Sequence, residues 1–157
     1  MLQTCFQILY VLLIRHIENQ LFKDSIMEKN ILLIEDDLIT QTLLKDMLED
    51  YGFFVFTASD GNEGTKMMEH NHFDLVLTDI IMPEKEGLQL IRETKWRWPH
   101  LKVIAMSTGG SFSGGPDYLQ TAKDFGAVAS IVKPIDSDNL LKTIRSVLDS
   151  EIQQETY

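Results

Sequence analysis

The chain has a single cysteine, Cys5, among its 157 residues. No intrachain disulfide can form, which fits a reducing compartment, and a cytoplasmic location is expected. Basic residues are also scarce: 14 Lys and Arg stand against 24 Asp and Glu, for a net charge of −10. A nucleic-acid binder needs a basic stripe to displace counterions, so direct DNA or RNA binding is not expected. Nor is a transmembrane span expected, because a bilayer takes ~20 consecutive apolar residues. The apolar run Phe6–Ile14 falls well short of that. It has no Lys or Arg before it and no small-residue cleavage site after it, so it does not read as a secretory signal.

What is present is an ordinary globular composition, 44% hydrophobic and 24% charged, enough for one domain with a sizeable core. From Asn30 onward, short apolar runs alternate with amphipathic stretches. Ile31–Ile34 is apolar on both faces and ends abruptly in acids, as a buried strand does. Leu38–Tyr51 has helical spacing, with Leu44, Leu48 and Tyr51 on one side, Met47 beside them, and Gly52 as its stop. Phe53–Ala58 reads as a second strand, and Asp60 and Glu63 stand at capping-box spacing to open a helix towards His70. Leu75–Thr78 is a strand that delivers Asp79 to its end, and Leu88–Trp98 is a helix halted by Pro99. Lys102–Met106 is the fourth strand, followed by Ser107 and a glycine-rich loop over Gly109–Gly115. Pro116 suits the first residue of a helix ending near Gly126. Ala127–Val132 is the fifth strand, and Asp136 can cap a last helix with an apolar face of Leu140, Leu141, Ile144, Val147 and Leu148. Five strands alternating strictly with five helices predict one doubly wound α/β domain with a parallel sheet.

In such a sheet, ligands gather outside the carboxyl ends of the strands. Here those ends carry Glu35-Asp36-Asp37, then Asp79, then Ser107 and Thr108, then Lys133. Carboxylates brought close together either take up protons or share a cation. Oxygen donors of this kind suit Mg²⁺ (or Mn²⁺), which bridges carboxylates to phosphate. A carboxylate can also attack phosphorus to form an aspartyl-phosphate. Lys133 would then serve as a point charge on one phosphoryl oxygen and Ser107 as a hydrogen-bond donor to another. The set is complete for phosphoryl transfer to Asp79.

The segments ILLIEDD, LVLTDIIMP, VIAMST and IVKP stand in this order over Asn30 to Leu148, and with them the chain resembles a receiver domain of the two-component response-regulator family. The resemblance implies a five-stranded sheet of order 2-1-3-4-5. It implies Mg²⁺ on Glu35, Asp36, Asp79 and the backbone carbonyl of Ile81, with Asp79 as phosphoacceptor. Ser107 becomes the switch hydroxyl and Lys133 the phosphate-pairing lysine, with Thr108 and Pro134 as accessory positions and Lys133-Pro134 as a cis peptide. The implied donor is a sensor histidine kinase or a histidine phosphotransfer protein. The implied output is repacking of the face made by the fourth helix, fifth strand and fifth helix, for a downstream protein. The chain is then no enzyme beyond self-phosphorylation and slow autodephosphorylation.

Three positions depart from the family pattern. Ser130 stands where an aromatic usually turns inward, with Phe112 as a conceivable substitute. Thr108 replaces a smaller residue, and Ile81 cannot position an attacking water, so a long-lived phosphorylated state is expected. The glycine-rich loop is longer than usual and loses more entropy on ordering.

Other readings stand beside this one. A phosphate-independent receiver-like interaction module keeps the fold without the chemistry. A haloacid-dehalogenase-type phosphatase also uses an Asp nucleophile and Mg²⁺, but Glu35 stands in the nucleophile's place. A flavin-binding domain of similar topology lacks its phosphate-cradling loop here. His70 and His72 are better explained by the helix C-terminus than as a metal pair, and Trp96 and Trp98 as helix packing or surface cover. The domain limits expected are an apolar extension over 1–28, the receiver over 29–150 and a short polar tail over 151–157. Met27 stands where such a domain would start, so the extension is read first as coming from an upstream start codon, ahead of an accessory or surface-binding helix. With only seven residues in the tail, a stand-alone receiver is expected.

Overall fold

The apolar runs pair into one parallel sheet. A computed structural model describes residues 29–82, 86–108 and 118–149, together with four helical positions before them, Gln7, Tyr10, Leu13 and Ile14. The strands are β1 (Asn30–Ile34), β2 (Phe54–Ala58), β3 (Leu75–Asp79), β4 (Lys102–Ser107) and β5 (Ala129–Val132). They lie in the order β2-β1-β3-β4-β5. The crossovers are α1 (Leu38–Asp50), α2 (Gly61–His70), α3 (Gly87–Arg97) and α4 (Tyr118–Asp124), and α5 (Ser137–Asp149) follows β5. This is the doubly wound architecture that the alternation predicts.

Strand periodicity divides the core into two layers. Ile31 and Leu33 point to one face and pack with Leu44 and Leu48 of α1 and with Leu140, Ile144 and Leu148 of α5. Leu32 and Ile34 point to the other, against Met68 of α2, Leu90 and Ile91 of α3 and Ala122 of α4. A strand covered on both faces has no polar side to show, which is why β1 and β3 are apolar almost throughout.

The element ends have local causes. Asp37 caps α1 by accepting the Thr40 N–H at 2.8 Å. At the other end Gly52, at φ +94°, donates to Glu49 while Phe53 N–H reaches back to Leu48, a Schellman closure. Tyr51 therefore sits at the cap, over a third exposed, rather than on the buried side, and Phe53 is buried before the strand begins. Asp60 caps α2 through the N–H groups of Asn62 and Glu63. Glu63 reaches back one residue further than a capping box does, to the N–H and hydroxyl of Ser59. Asp136 caps α5 through Asn139. Ala127 and Val128 lead into β5 without belonging to it. Trp98 packs against the core, whereas Trp96 is 82% exposed.

Pro83, the glycine-rich loop with Phe112, Pro116, the rest of residues 1–28 and the tail over 151–157 lie outside the described residues. Among the described residues no helix is long and apolar enough to cross a membrane.

Candidate functional site

Backbone pairing continues one residue past three strands, and this brings the polar residues level. The Glu35 N–H donates to the Ala58 carbonyl at 3.1 Å, Ile80 to Met106 at 2.9 Å and Lys133 to Ser107 at 2.8 Å. Glu35, Asp79, Ser107 and Lys133 therefore reach the same edge of the sheet, on both sides of the point where strand order reverses. The turn after β3 is tightened by Gly87, whose N–H donates to Ile80 at 2.9 Å. A side chain at that position would collide with the Asp79 carbonyl oxygen and the Ile80 Cα. The buried Thr78 hydroxyl donates to the same Asp79 carbonyl at 2.9 Å.

Lys133 is the centre of the charge arrangement. Its Nζ donates to Glu35 Oε2 and to Asp79 Oδ2, both at 2.7 Å. Asp79 Oδ1 accepts the Ile81 N–H at 3.2 Å. Carboxylate oxygens of Glu35, Asp36 and Asp79 lie within 4.8 Å of one another, the one such group of three among the described residues. Glu35 is 1% exposed and Asp79 7%, whereas Asp36 faces solvent. Three hard oxygen donors, one of them open to water, fit Mg²⁺ or Mn²⁺ and not a soft metal.

Burial pushes the Glu35 carboxyl above its ordinary value; Lys133 pulls it down, but the neighbouring charge of Asp79 adds to the rise. For Lys133, burial alone would lower its affinity for a proton, yet its hydrogen bonds to Asp79 and Glu35 raise it overall. Both partners of one ion pair thus move upward. The two directions agree once the stoichiometry is considered: two carboxylates share a single ammonium, so the ammonium gains more than either carboxylate.

The remaining expected positions lie around this centre. Ser107 is fully buried. Thr108 and Pro134 are exposed, and Ile81 is 56% exposed. Lys133-Pro134 is cis. Asp37, third in the acidic run, is not part of the cluster: it serves as the cap, and the Thr40 N–H holds its carboxyl below the usual range. His70 Nδ1 donates to the Lys66 carbonyl at 2.7 Å, one turn back in α2. His70 and His72 line a groove of about 610 Å³ at the opposite end of the sheet, away from the acids. One residue at the site carries no sequence signal, Gln41, whose side chain crosses from α1 to the ends of β1 and β2.

The family model of the response regulator receiver domain matches residues 31–145. The transcriptional regulatory protein ZraR of Escherichia coli K12 is 32% identical over 119 residues, covering 76% of this chain and 26% of ZraR. The CAI-1 autoinducer sensor kinase/phosphatase CqsS of Vibrio cholerae is 35% identical over 120 residues, covering 74% of this chain and 17% of CqsS. The chain thus matches only about a quarter or less of these relatives. Among solved structures, a CheY-like receiver domain protein from Methanospirillum hungatei superposes with a TM-score of 0.73 at 30% identity, covering 80% of this chain and 98% of that one. TrrA from Thermotoga maritima, in complex with Mg²⁺–BeF, superposes with a TM-score of 0.66 at 27% identity, covering 76% and 99%.

Proposed function

The chain belongs to the response regulator receiver domain family, and from that premise we propose that Asp79 accepts a phosphoryl group from a phosphohistidine. The donor is a sensor histidine kinase or a histidine phosphotransfer protein. The observation that carries the reading is Lys133 bridging Glu35 and Asp79 at 2.7 Å beside a three-carboxylate cluster. Glu35, Asp36, Asp79 and the Ile81 carbonyl are the groups that would hold Mg²⁺ (or Mn²⁺). When bound, the cation supplies positive charge against the phosphoryl oxygens. TrrA, a structural relative, is known in complex with Mg²⁺–BeF, which supports this choice.

The residues of the chain do the rest. An Asp79 carboxylate oxygen attacks phosphorus; the P–O bond forms as the P–N bond breaks, and the electron pair leaves with the imidazole nitrogen, which takes a proton. Lys133 exchanges a carboxylate partner for a phosphoryl oxygen, and the Ser107 hydroxyl donates to another. That added charge biases the α4–β5–α5 face, where a downstream protein would bind. Residues 29–150 form this receiver, flanked by the extension over 1–28 and the tail over 151–157. It acts as a phosphorelay intermediate or a protein-binding switch and is not a turnover enzyme.

A phosphate-independent interaction module is the second reading, favoured by Ser130 in place of the usual inward-turning aromatic. Intact mass after incubation with a phosphorylated histidine donor and Mg²⁺ separates the two. One added phosphoryl group, lost in Asp79→Asn and on chelation, is expected. No gain from a series of phosphohistidine donors would favour the module.

A further inference from the structure

Gln41 lies in the first turn of α1, and its side chain turns back to the backbone at the ends of β1 and β2. Its amide nitrogen donates one hydrogen to the Glu35 carbonyl at 2.8 Å and the other to the Ala58 carbonyl at 3.0 Å. The Ala58 carbonyl also accepts the Glu35 N–H at 3.1 Å. Both partners of the side chain are carbonyl oxygens, so only one orientation of the amide satisfies them. A single uncharged group thus ties the ends of β1 and β2 together where the chain leaves the sheet.

The Glu35 carbonyl belongs to the peptide unit that links Glu35 to Asp36. Fixing that unit sets the direction in which the Asp36 side chain leaves the backbone. Glu35 is buried and held at its far end by Lys133. Asp36 is exposed, so its position is controlled through its own main chain. We propose that Gln41 is a positioning residue for the cation, holding the Glu35–Asp36 peptide so that both carboxylates point at one centre. This rests on the cation site proposed above. The chemistry requires the amide: Glu has no donor, Asn is too short to span both carbonyls, and Lys or Arg would place a competing charge beside the cation.

The test is calorimetric titration of the full chain with Mn²⁺ alone. Gln41→Met keeps the length and removes both donors, and it should bind about ten-fold more weakly, the scale of losses seen when groups that orient metal ligands are removed. Gln41→Glu discriminates by sign. Its added negative charge would tighten cation binding by Coulomb attraction alone, whereas loss of positioning weakens it. Thr42→Ala, which removes a hydroxyl bond to Leu38 on the same helix, should leave Mn²⁺ affinity unchanged and controls for helix stability. Should Gln41→Met fail to fold, Gln41→Asn carries the same expectation. Unchanged affinity in the Met variant, or tighter binding in the Glu variant, overturns the role of Gln41 while leaving the cation site standing. No Mn²⁺ binding by the unaltered chain overturns the cation site itself, and this inference with it.

Discussion

At Glu35 the folded chain sets a buried carboxylate against a single shared ammonium, and the outcome is a group that holds its proton more tightly than a free glutamate does. The sign of the pH dependence follows. A raised folded-state pKa means that the native chain binds more protons than the unfolded one, so the contribution of Glu35 to stability falls as pH rises through that elevated value. A cation must displace the same proton, so Mn²⁺ affinity should increase as pH rises through that elevated value, with proton release on binding. Titration calorimetry in two buffers of different ionisation enthalpy reads that release directly. Affinity and heat independent of pH and buffer would show Glu35 already ionised. The acids, Ser107 and Lys133 were legible in the sequence because each stands at the end of an apolar run. Gln41 was not, because nothing in a helical Gln four residues after a cap distinguishes it from a solvated one.

The elements owe their limits to caps and close approaches that a pattern of apolar residues does not specify. Capping residues announced the starts of α2 and α5, and Gly52 the end of α1. Tyr51 was misplaced because helical spacing continues through it, while the Schellman bond from Phe53 to Leu48 takes the chain out of the helix there. Gly87 shows the same dependence on packing. Its φ is not the reason for glycine; the space is, since a methyl group would meet backbone atoms of Asp79 and Ile80 that no side-chain rotation can move aside. Gly87→Ala should therefore cost about 1–3 kcal/mol and displace the Asp79 main chain. Denaturant unfolding should show the loss and intact mass a reduced yield of phosphorylated chain. Full stability and full yield would mean that α3 shifts as a unit to make room.

The whole molecule leaves Asp79 7% exposed, with Ile81 half exposed beside it and Thr108 exposed just past the end of β4. The apolar side chain of Ile81 cannot orient a water for attack on the acyl phosphate, and Thr108 is bulkier than the small residue usual there. A phosphorylated state lasting many minutes or longer is expected, measured as decay of the phosphorylated mass after donor removal. Decay within seconds would rule this out. Substituting Ile81→Glu, which offers an acceptor for a water, should hasten decay about ten-fold, at the low end of what a positioned base contributes.

The sequence by itself determined the alternation of strands and helices, the two-faced burial of β1 and the identity of the residues at the strand ends. These follow from local chemistry, because periodicity, capping and abrupt polarity changes are written in neighbouring residues. Only the tertiary structure decided that Lys133 holds two carboxylates at once, that Asp37 caps a helix while Asp36 joins the cluster, and that Gln41 spans two strands. Each of these depends on distances between segments far apart in the chain, set by strand register and by how closely the helices approach the sheet.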